Sequence, residues 1–170
     1  DIDRGLFGKR ANHERPFSSP VSMDPVLART LVNLSEAKPG ERLLDPFCGT
    51  GGILIEAGLC GVAVSGRDAD QEMLEGTREN LEEYGIIRHD ISRKSISEFD
   101  DFNNFDAVVT DLPYGKASPE EGEAVEEFLE IAEKGSRTVF VYNESSLKDL
   151  EPEFELYVHS NLTRYIYLID

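Results

Sequence analysis

The stretch "ERLLDPFCGTGGILIEAGLC", residues 41–60, decides the fold class of this chain. Its first half is an apolar run that predicts a buried strand, and its second half is an almost wholly apolar segment that predicts a helix packed on a sheet. The glycines between the two halves allow a sharp turn and let a ligand approach the backbone. The stretch therefore predicts a strand–turn–helix unit with a binding site at the turn.

The same alternation of strands and helices continues along the chain. Apolar runs predict seven strands, at residues 41–47, 62–68, 86–90, 105–111, 137–143, 153–161 and 163–170. Helical spacing predicts helices at 24–36, within 49–60, at 69–85 and at 118–135, and shorter helical turns at 92–99 and 145–150. This order predicts an α/β fold with a doubly wound, mostly parallel sheet, whose last two strands form an antiparallel hairpin through Asn161 and Leu162.

Composition narrows the classes of protein that the chain can represent. With 170 residues, 39% of them hydrophobic, it is long enough for one soluble domain with a full core. The net charge of −17 argues against nucleic-acid binding over a broad face, and seven glutamates share the predicted helix at 118–135. We expect no membrane segment and no signal peptide. The two cysteines form no CxxC pair that would suggest zinc, and they favour a reducing, cytoplasmic setting.

Four predicted strands end in an aspartate: Asp45, Asp68, Asp90 and Asp111. Parallel α/β sheets bind ligands beyond the carboxyl ends of their strands. We therefore expect these four carboxylates to converge on one site.

The turn does not have the residues of a diphosphate site. A dinucleotide fingerprint would place a third glycine where Leu54 stands, and a phosphate-binding loop would end in Gly-Lys-Ser/Thr. Asp45, ahead of the glycines, suits a ligand that carries an ammonium group. Asp68 can accept both ribose hydroxyls of a nucleoside, or it can cap the next helix. Asp90 can accept from an adenine amine, or it can be a loop acid. Cys48 is either a nucleophile or, as we favour, a small buried thiol.

Together these features resemble the class I S-adenosylmethionine-dependent methyltransferases over nearly the whole chain. The resemblance implies a Rossmann-like, seven-stranded fold and S-adenosylmethionine as the cofactor. In that family the glycine turn, here with Phe47, Gly49 and Gly51, packs against the methionine part of the cofactor. The acid after the second strand holds the ribose and the acid after the third reads the adenine. The implied cofactor contacts therefore include Asp68 with Ala69, and Asp90 with Ile91.

The segment "TDLPYG", residues 110–115, resembles the Asp/Asn-Pro-Pro-Tyr motif of amino methyltransferases. An exocyclic amine is a poor nucleophile, and Asp111 and the carbonyl of Leu112 can accept its two hydrogens and orient its lone pair. Pro113 fixes the turn, and Tyr114 offers a ring on which a flipped base stacks. Leu112 replaces the first proline of the motif, and the role implied for that position needs only its carbonyl.

The upstream stretch, from "RPFSSPVSMDPVLAR" to "DPFCGTGG", is similar to the archaeal and eukaryotic tRNA guanosine N2-methyltransferases that act at position 10. The resemblance places Pro20 and Ser22 against the methionine tail, although Ser22 can equally belong to a turn ahead of a capped helix. It also implies a tRNA substrate and a preceding RNA-binding THUMP domain. Residues 1–20 would then be a connecting segment and residues 21–170 the methyltransferase domain, which we expect to be a monomer.

Three other functions stay open on the sequence. A methyltransferase acting on base amines of rRNA or DNA would keep every residue role. A glutamine methyltransferase of release factors shares the logic of the motif but fits Asp111 and the upstream segment less well. A catalytically silent scaffold would not need the four aspartates.

Overall fold

The chain folds into a mixed seven-stranded sheet with helices on both faces. The structure is a computed structural model that describes residues 4–20, 22–113, 119–159 and 162–170. The strands are β1 Arg42–Asp45, β2 Ala63–Asp68, β3 His89–Arg93, β4 Ala107–Asp111, β5 Arg137–Tyr142, β6 Phe154–His159 and β7 Leu162–Ile169. The α-helices are α1 Arg4–Gly8, α2 Pro25–Leu34, α3 Gly52–Leu59, α4 Gln71–Glu83 and α5 Pro119–Ala132. Two 3-10 helices cover Asn12–Glu14 and Ile96–Glu98.

The strand order is β3-β2-β1-β4-β5-β7-β6, and β1 to β5 are parallel. Strand β7 runs antiparallel to both of its neighbours, β5 and β6. This topology confirms the predicted α/β sheet and its carboxyl-terminal antiparallel hairpin. Asn161 lies outside the described residues, and Leu162 begins β7 opposite His159.

Local sequence signals set the ends of the helices. Asp24 caps α2, because its carboxylate accepts hydrogen bonds from the backbone N–H groups of Val26 and Leu27 at 2.9 and 3.3 Å. Pro25 occupies the first helical position, where its missing N–H costs nothing. Helix α4 begins after Asp70 and ends just before Gly85, whose φ of 66° suits a helix terminus.

The sheet separates two hydrophobic clusters. Leu43 and Val109 belong to the cluster under α2, α3 and α4, whereas their neighbours Leu44 and Val108 belong to the cluster under α5. Alternate side chains of a strand point to opposite faces, so these strands are buried on both sides. The clusters fix the positions of the strand ends at which the site lies.

A strap formed by residues 10–20 lies across α3 and α4. Asn80, buried in α4, accepts a hydrogen bond from the Phe17 N–H at 3.0 Å and donates one to the Phe17 carbonyl at 2.8 Å. At the other end of the strap, Arg10 pairs with the buried Glu56 of α3 at 2.6 Å. The segment that the sequence suggests as a connection is thus packed against the helices of the domain.

Two predicted elements differ from the structure. Strand β3 does not cover 86–90, because the Ile86 N–H closes the end of α4 on the Leu81 carbonyl and the strand starts only at His89. The helix predicted at 145–150 is wrong: a turn closed by a bridge between Leu147 and Leu150 lies there. The helical turn expected within 92–99 is the short 3-10 helix at Ile96–Glu98. Among the described residues, every helix is too short or too polar to cross a membrane.

Candidate active site

A cleft of about 260 Å³ lies at the carboxyl ends of β1 and β4. Its walls come from these strand ends, the glycine turn, the first turns of α3 and α4, and the strap. Of the residues predicted for the site, it brings together Ser22, Asp45, Phe47, Gly49, Asp111, Leu112 and Pro113. The opening therefore combines the predicted cofactor turn with the predicted methyl-acceptor motif.

The glycine turn presents bare backbone to this cleft. Gly49 and Gly51 have φ values of 49° and 79°, which favour glycine. A Cβ added at Gly49 would meet no heavy atom of the described residues within 4 Å, so that position opens into space that a ligand can fill. The turn itself is held in place, because the Thr77 hydroxyl of α4 donates to the Gly49 carbonyl at 2.7 Å.

Asp68, at the end of β2, holds the glycine turn by a hydrogen bond to its backbone. Its Oδ2 accepts a hydrogen bond from the Gly49 N–H and its Oδ1 accepts one from the Asp70 N–H, both at 2.9 Å. The residue that caps α4 is Asp70, which accepts from the Glu72 N–H, and not Asp68. Each oxygen of Asp68 retains lone-pair capacity, so the carboxylate can accept further hydroxyl donors.

Asp45, at the end of β1, is a buried acid. Its Oδ1 accepts hydrogen bonds from the Thr110 hydroxyl at 2.7 Å and from the Phe47 N–H at 3.2 Å. Burial raises the pKa of Asp45 to about 7, against the lowering effect of these two hydrogen bonds. Such a group is only partly ionised at neutral pH, and a cation placed in the cleft would favour its charged form.

Asp111, at the end of β4, is the second acid of the cleft. Its Oδ2 lies 3.3 Å from Nη2 of Arg164, a buried arginine of β7. Its Oδ1 is buried and has no hydrogen-bond partner among the described residues. Burial raises the pKa of Asp111 to about 6, and the charge of Arg164 opposes that rise. Asp111 lines the cleft, and a buried acceptor that has no partner among the described residues is a position for a donor from a ligand bound there.

Asp90 does not lie where the sequence predicts. It is the second residue of β3, opposite Ser65, and the strand continues to Arg93. Its carboxylate is 60% exposed and accepts a hydrogen bond from Nη2 of Arg67 at 2.6 Å. The prediction that Asp90 ends a strand is therefore wrong. Of the three strand-end aspartates that remain, Asp45 and Asp111 line the cleft and Asp68 does not.

Several other predicted cofactor residues do not line the cleft. Pro20 and Ala69 are exposed, and Ile91 is buried in the core beside Gly66. Gly51 faces Thr77, whose Cγ2 would lie 2.9 Å from an added Cβ, and acts through the shape of the turn. Tyr114 lies outside the described residues.

The structure adds cleft residues that the sequence did not single out: Ser19, Met23, Thr50, Gly52, Ile53 and Met73. Thr50 and Gly52 belong to the glycine turn, so the glycine-rich motif of residues 49–52 is a local signal for both. The hydroxyls of Ser22 and Thr50 lie 2.9 Å apart, and Ser22 Oγ also accepts from the Ser19 N–H at 3.0 Å. These contacts join the strap to the turn.

Comparisons with known proteins agree with this geometry. The family described as "RMKL-like, methyltransferase domain" matches residues 12–156. The tRNA (guanine(10)-N2)-dimethyltransferase of Methanothermobacter thermautotrophicus is 43% identical over 185 aligned positions, which cover 99% of this chain and 55% of the relative. The chain spans about half the length of several such curated relatives.

Solved structures share the fold. TrmN from Thermus thermophilus superimposes with a TM-score of 0.70 at 26% identity and covers 88% of this chain and 49% of its own. An RNA methyltransferase from Salinibacter ruber, in complex with S-adenosyl-L-homocysteine, has a TM-score of 0.65 at 19% identity, covering 88% of this chain and 94% of its own. The family match over most of the chain, together with the sheet order and the site, shows that this chain belongs to the RMKL-like methyltransferase domain family.

Proposed function

We propose that this chain transfers a methyl group from S-adenosylmethionine to the N2 amine of a guanosine in tRNA. The observation that carries the proposal is Oδ1 of Asp111, which has no hydrogen-bond partner among the described residues and belongs to the same cleft as Asp45 and the open glycine turn. The names of the archaeal relatives support the choice of a guanosine N2 acceptor in tRNA.

The residues of the cleft fit S-adenosylmethionine. The buried carboxylates of Asp45 and Asp111 favour a cationic ligand and disfavour a diphosphate. The open backbone at Gly49 and the hydroxyls of Ser22 and Thr50 would hold the methionine part, and the remaining lone pairs of Asp68 would accept the ribose hydroxyls. When bound, the cofactor supplies an electrophilic methyl group on a sulfonium centre.

Two acceptors of the chain would orient the amine. Asp111 Oδ1 accepts one N–H, and the carbonyl of Leu112 is the second acceptor. Leu112 is buried, and its N–H donates to the Val141 carbonyl at 3.0 Å, so the acceptor segment is fixed to β5. Fixed acceptors point the nitrogen lone pair away from themselves and offset the positive charge that develops on nitrogen during transfer.

The chain's charge bears on how tRNA would be held. A net charge of −17 leaves few phosphate contacts for this domain to make. We therefore propose that an RNA-binding domain of the THUMP type assists it, with residues 1–20 as the connection, and that the enzyme acts as a monomer in the cytoplasm.

The test is nucleoside mass spectrometry. The protein is incubated with methyl-labelled S-adenosylmethionine and an unmodified tRNA transcript that carries guanosine at position 10. Label should appear as N2-methylguanosine or N2,N2-dimethylguanosine, and should disappear when adenosine replaces that guanosine. Label on a different nucleoside, on rRNA or DNA bases, or on a protein glutamine would contradict the tRNA guanosine assignment.

Asp111→Ala provides the matched variant for this assay. It should lower methyl transfer by at least about 100-fold, since an electrostatic acceptor for the transition state is lost. Its affinity for the cofactor, measured by calorimetry, should stay within a few-fold of wild type. Loss of cofactor binding in this variant would mean that Asp111 holds the cofactor and not the methyl acceptor.

A further inference from the structure

Arg164 is a buried cation directly behind the acceptor site. It lies in β7 and is 8% exposed, and its Nη2 is 3.3 Å from Oδ2 of Asp111. Neither the motif around Asp111 nor any other local pattern in the sequence points to this arginine. An inference about its role rests on the function proposed above, because it concerns the same site.

The register of the sheet explains how the arginine reaches Asp111. Asp111 pairs with Val141 of β5, and Val141 pairs with Ile166 of β7. Since β7 runs antiparallel to β5, Arg164 lies two residues beyond this row, toward the carboxyl ends of the parallel strands. Side chains two residues apart point to the same face, so Arg164 follows Ile166 on its side of the sheet.

We propose that Arg164 is a positioning residue for methyl transfer, which holds Asp111 by Oδ2 so that Oδ1 is presented to the acceptor amine. A carboxylate held by one oxygen cannot rotate that oxygen out of the ion pair without loss of the Coulombic attraction. The pairing therefore selects one orientation of a side chain whose other oxygen is buried without a partner among the described residues. Arg164 acts through Asp111 and needs no contact with the substrate.

The same contact controls the charge of Asp111. Among the described residues, the charge of Arg164 from β7 favours the ionised form of Asp111, and the charge of Asp111 in turn raises the pKa of Asp45 in β1. Without Arg164, burial would favour the protonated acid unopposed. A protonated Asp111 is a poorer acceptor for the amine hydrogen, so the loss should be largest at low pH.

The experiment compares Arg164→Met, Arg164→Lys and wild type in kcat/KM for tRNA from pH 6 to pH 9. The ratio of wild-type to Arg164→Met activity should shrink by about fivefold between these limits if the pKa of Asp111 rises by about one unit, because wild-type Asp111 is itself about half ionised at pH 6. Arg164→Lys keeps the charge and should follow the wild-type profile. Arg137→Met, which removes an arginine from the far end of β5, is the matched control and should show no pH-dependent loss.

A second measurement does not depend on turnover. Carbon NMR of the Asp111 carboxyl, assigned by its absence in Asp111→Asn, should show a higher pKa in Arg164→Met than in wild type, with Arg164→Lys between them or equal to wild type. A constant activity ratio at every pH together with an unchanged Asp111 pKa would overturn the role of Arg164. Inactive wild type with an Asp111 pKa that still depends on Arg164 would instead overturn the proposed function.

Discussion

At the scale of single residues, the site depends on two carboxylates that are costly to bury. Asp45 and Asp111 end the neighbouring strands β1 and β4, and burial raises the pKa of both. Hydrogen bonds from Thr110 and Phe47 offset part of this cost for Asp45, and Arg164 offsets part of it for Asp111. A bound cation would offset the remaining cost, so under the proposed function the two acids would favour a sulfonium cofactor.

The first prediction concerns the pH dependence of cofactor affinity. Since the pKa of Asp45 is raised to about 7, a cationic ligand that requires the ionised form must displace a proton at lower pH. The dissociation constant for S-adenosylmethionine, measured by calorimetry, should therefore fall as pH rises from 6 to 8, by up to about tenfold per pH unit below the pKa. Asp45→Asn should bind more weakly and lose this dependence.

The matched control for that titration is Asp24→Asn. Asp24 is exposed and caps α2, and asparagine caps a helix about as well as aspartate does. The variant should keep the wild-type pH dependence of cofactor binding. A wild-type affinity that is flat from pH 6 to 8 would show that Asp45 does not respond to the charge of the cofactor.

At the scale of elements, the sequence predicts the strands whose apolar runs are buried on both faces. Strands β1, β2 and β4, with their terminal aspartates, lie where the alternation of apolar runs and helical spacing indicates. The predicted start of strand β3 is wrong because the apolar pattern around Ile86 fits both a helix end and a strand. That side chain is buried against Gly58 of α3, and its N–H completes the end of α4, while Ile87 is 87% exposed. Only the tertiary packing determines whether a buried isoleucine belongs to a helix end or to a strand.

The sequence predicts those parts of the candidate site whose residues are consecutive in the chain. It does not predict the residues that are distant in the chain and come together only in the folded structure. The glycine turn and the Asp111–Pro113 segment each place adjacent residues at the cleft, so a local motif indicates them. Arg164 reaches Asp111 only because β7 inserts beside β5. Met73 lines the cleft because Asp70 begins α4 at that edge. Neither position has a local signal.

The second prediction concerns the strap and its contact with α4. A Cβ added at Gly76 would lie 2.0 Å from Cδ1 of Phe17, while Asn80 holds the Phe17 backbone by two hydrogen bonds. Gly76→Ala must therefore displace the strap, which carries Ser19 at the cleft wall. We expect affinity for S-adenosylmethionine, measured by calorimetry, to fall by at least about tenfold, since each 1.4 kcal/mol of lost interaction corresponds to that factor.

Gly122→Ala is the control for this substitution. Gly122 lies in α5, and within the described part of the chain an added Cβ there would meet no heavy atom within 4 Å. Alanine is a better helix former than glycine, so this variant should gain about 0.5–1 kcal/mol of stability and keep its cofactor affinity. Equal cofactor affinity in both alanine variants would show that the strap is no part of the binding site.

At the scale of the whole molecule, acid is in excess and part of it is buried. The chain carries 34 acidic and 17 basic residues, and the like charges repel one another at neutral pH. The buried Asp45 and Asp111 add a second cost, because each must be ionised against desolvation when the pH exceeds its pKa. Surface repulsion and the ionisation of buried acids both lower the free energy of unfolding as pH rises. The two contributions differ in their response to salt, which screens exposed charges far more than buried ones.

The third prediction follows from the sign of this proton linkage. An aspartate of the unfolded chain has a pKa of about 3.9, whereas Asp111 and Asp45 in the folded chain have values of about 6 and about 7. From about pH 4 to pH 7 the folded state binds more protons than the unfolded state, so the free energy of unfolding falls as pH rises. Scanning calorimetry without cofactor should give a higher unfolding temperature near pH 5.5 than at pH 8, and added salt at pH 8 should recover only part of the difference.

The double variant Asp45→Asn, Asp111→Asn separates the two contributions to that difference. It removes the buried ionisations and leaves the exposed charges in place, so its stability relative to wild type should increase from pH 5.5 to pH 8 by on the order of 3 kcal/mol. Near pH 5.5 the gain should be smaller, because wild type then keeps both acids largely protonated. A wild-type unfolding temperature that rises from pH 5.5 to pH 8 would show that the two carboxylates are stabilised by ionisation in the folded state. A bound cation would then not be needed to stabilise their charged forms.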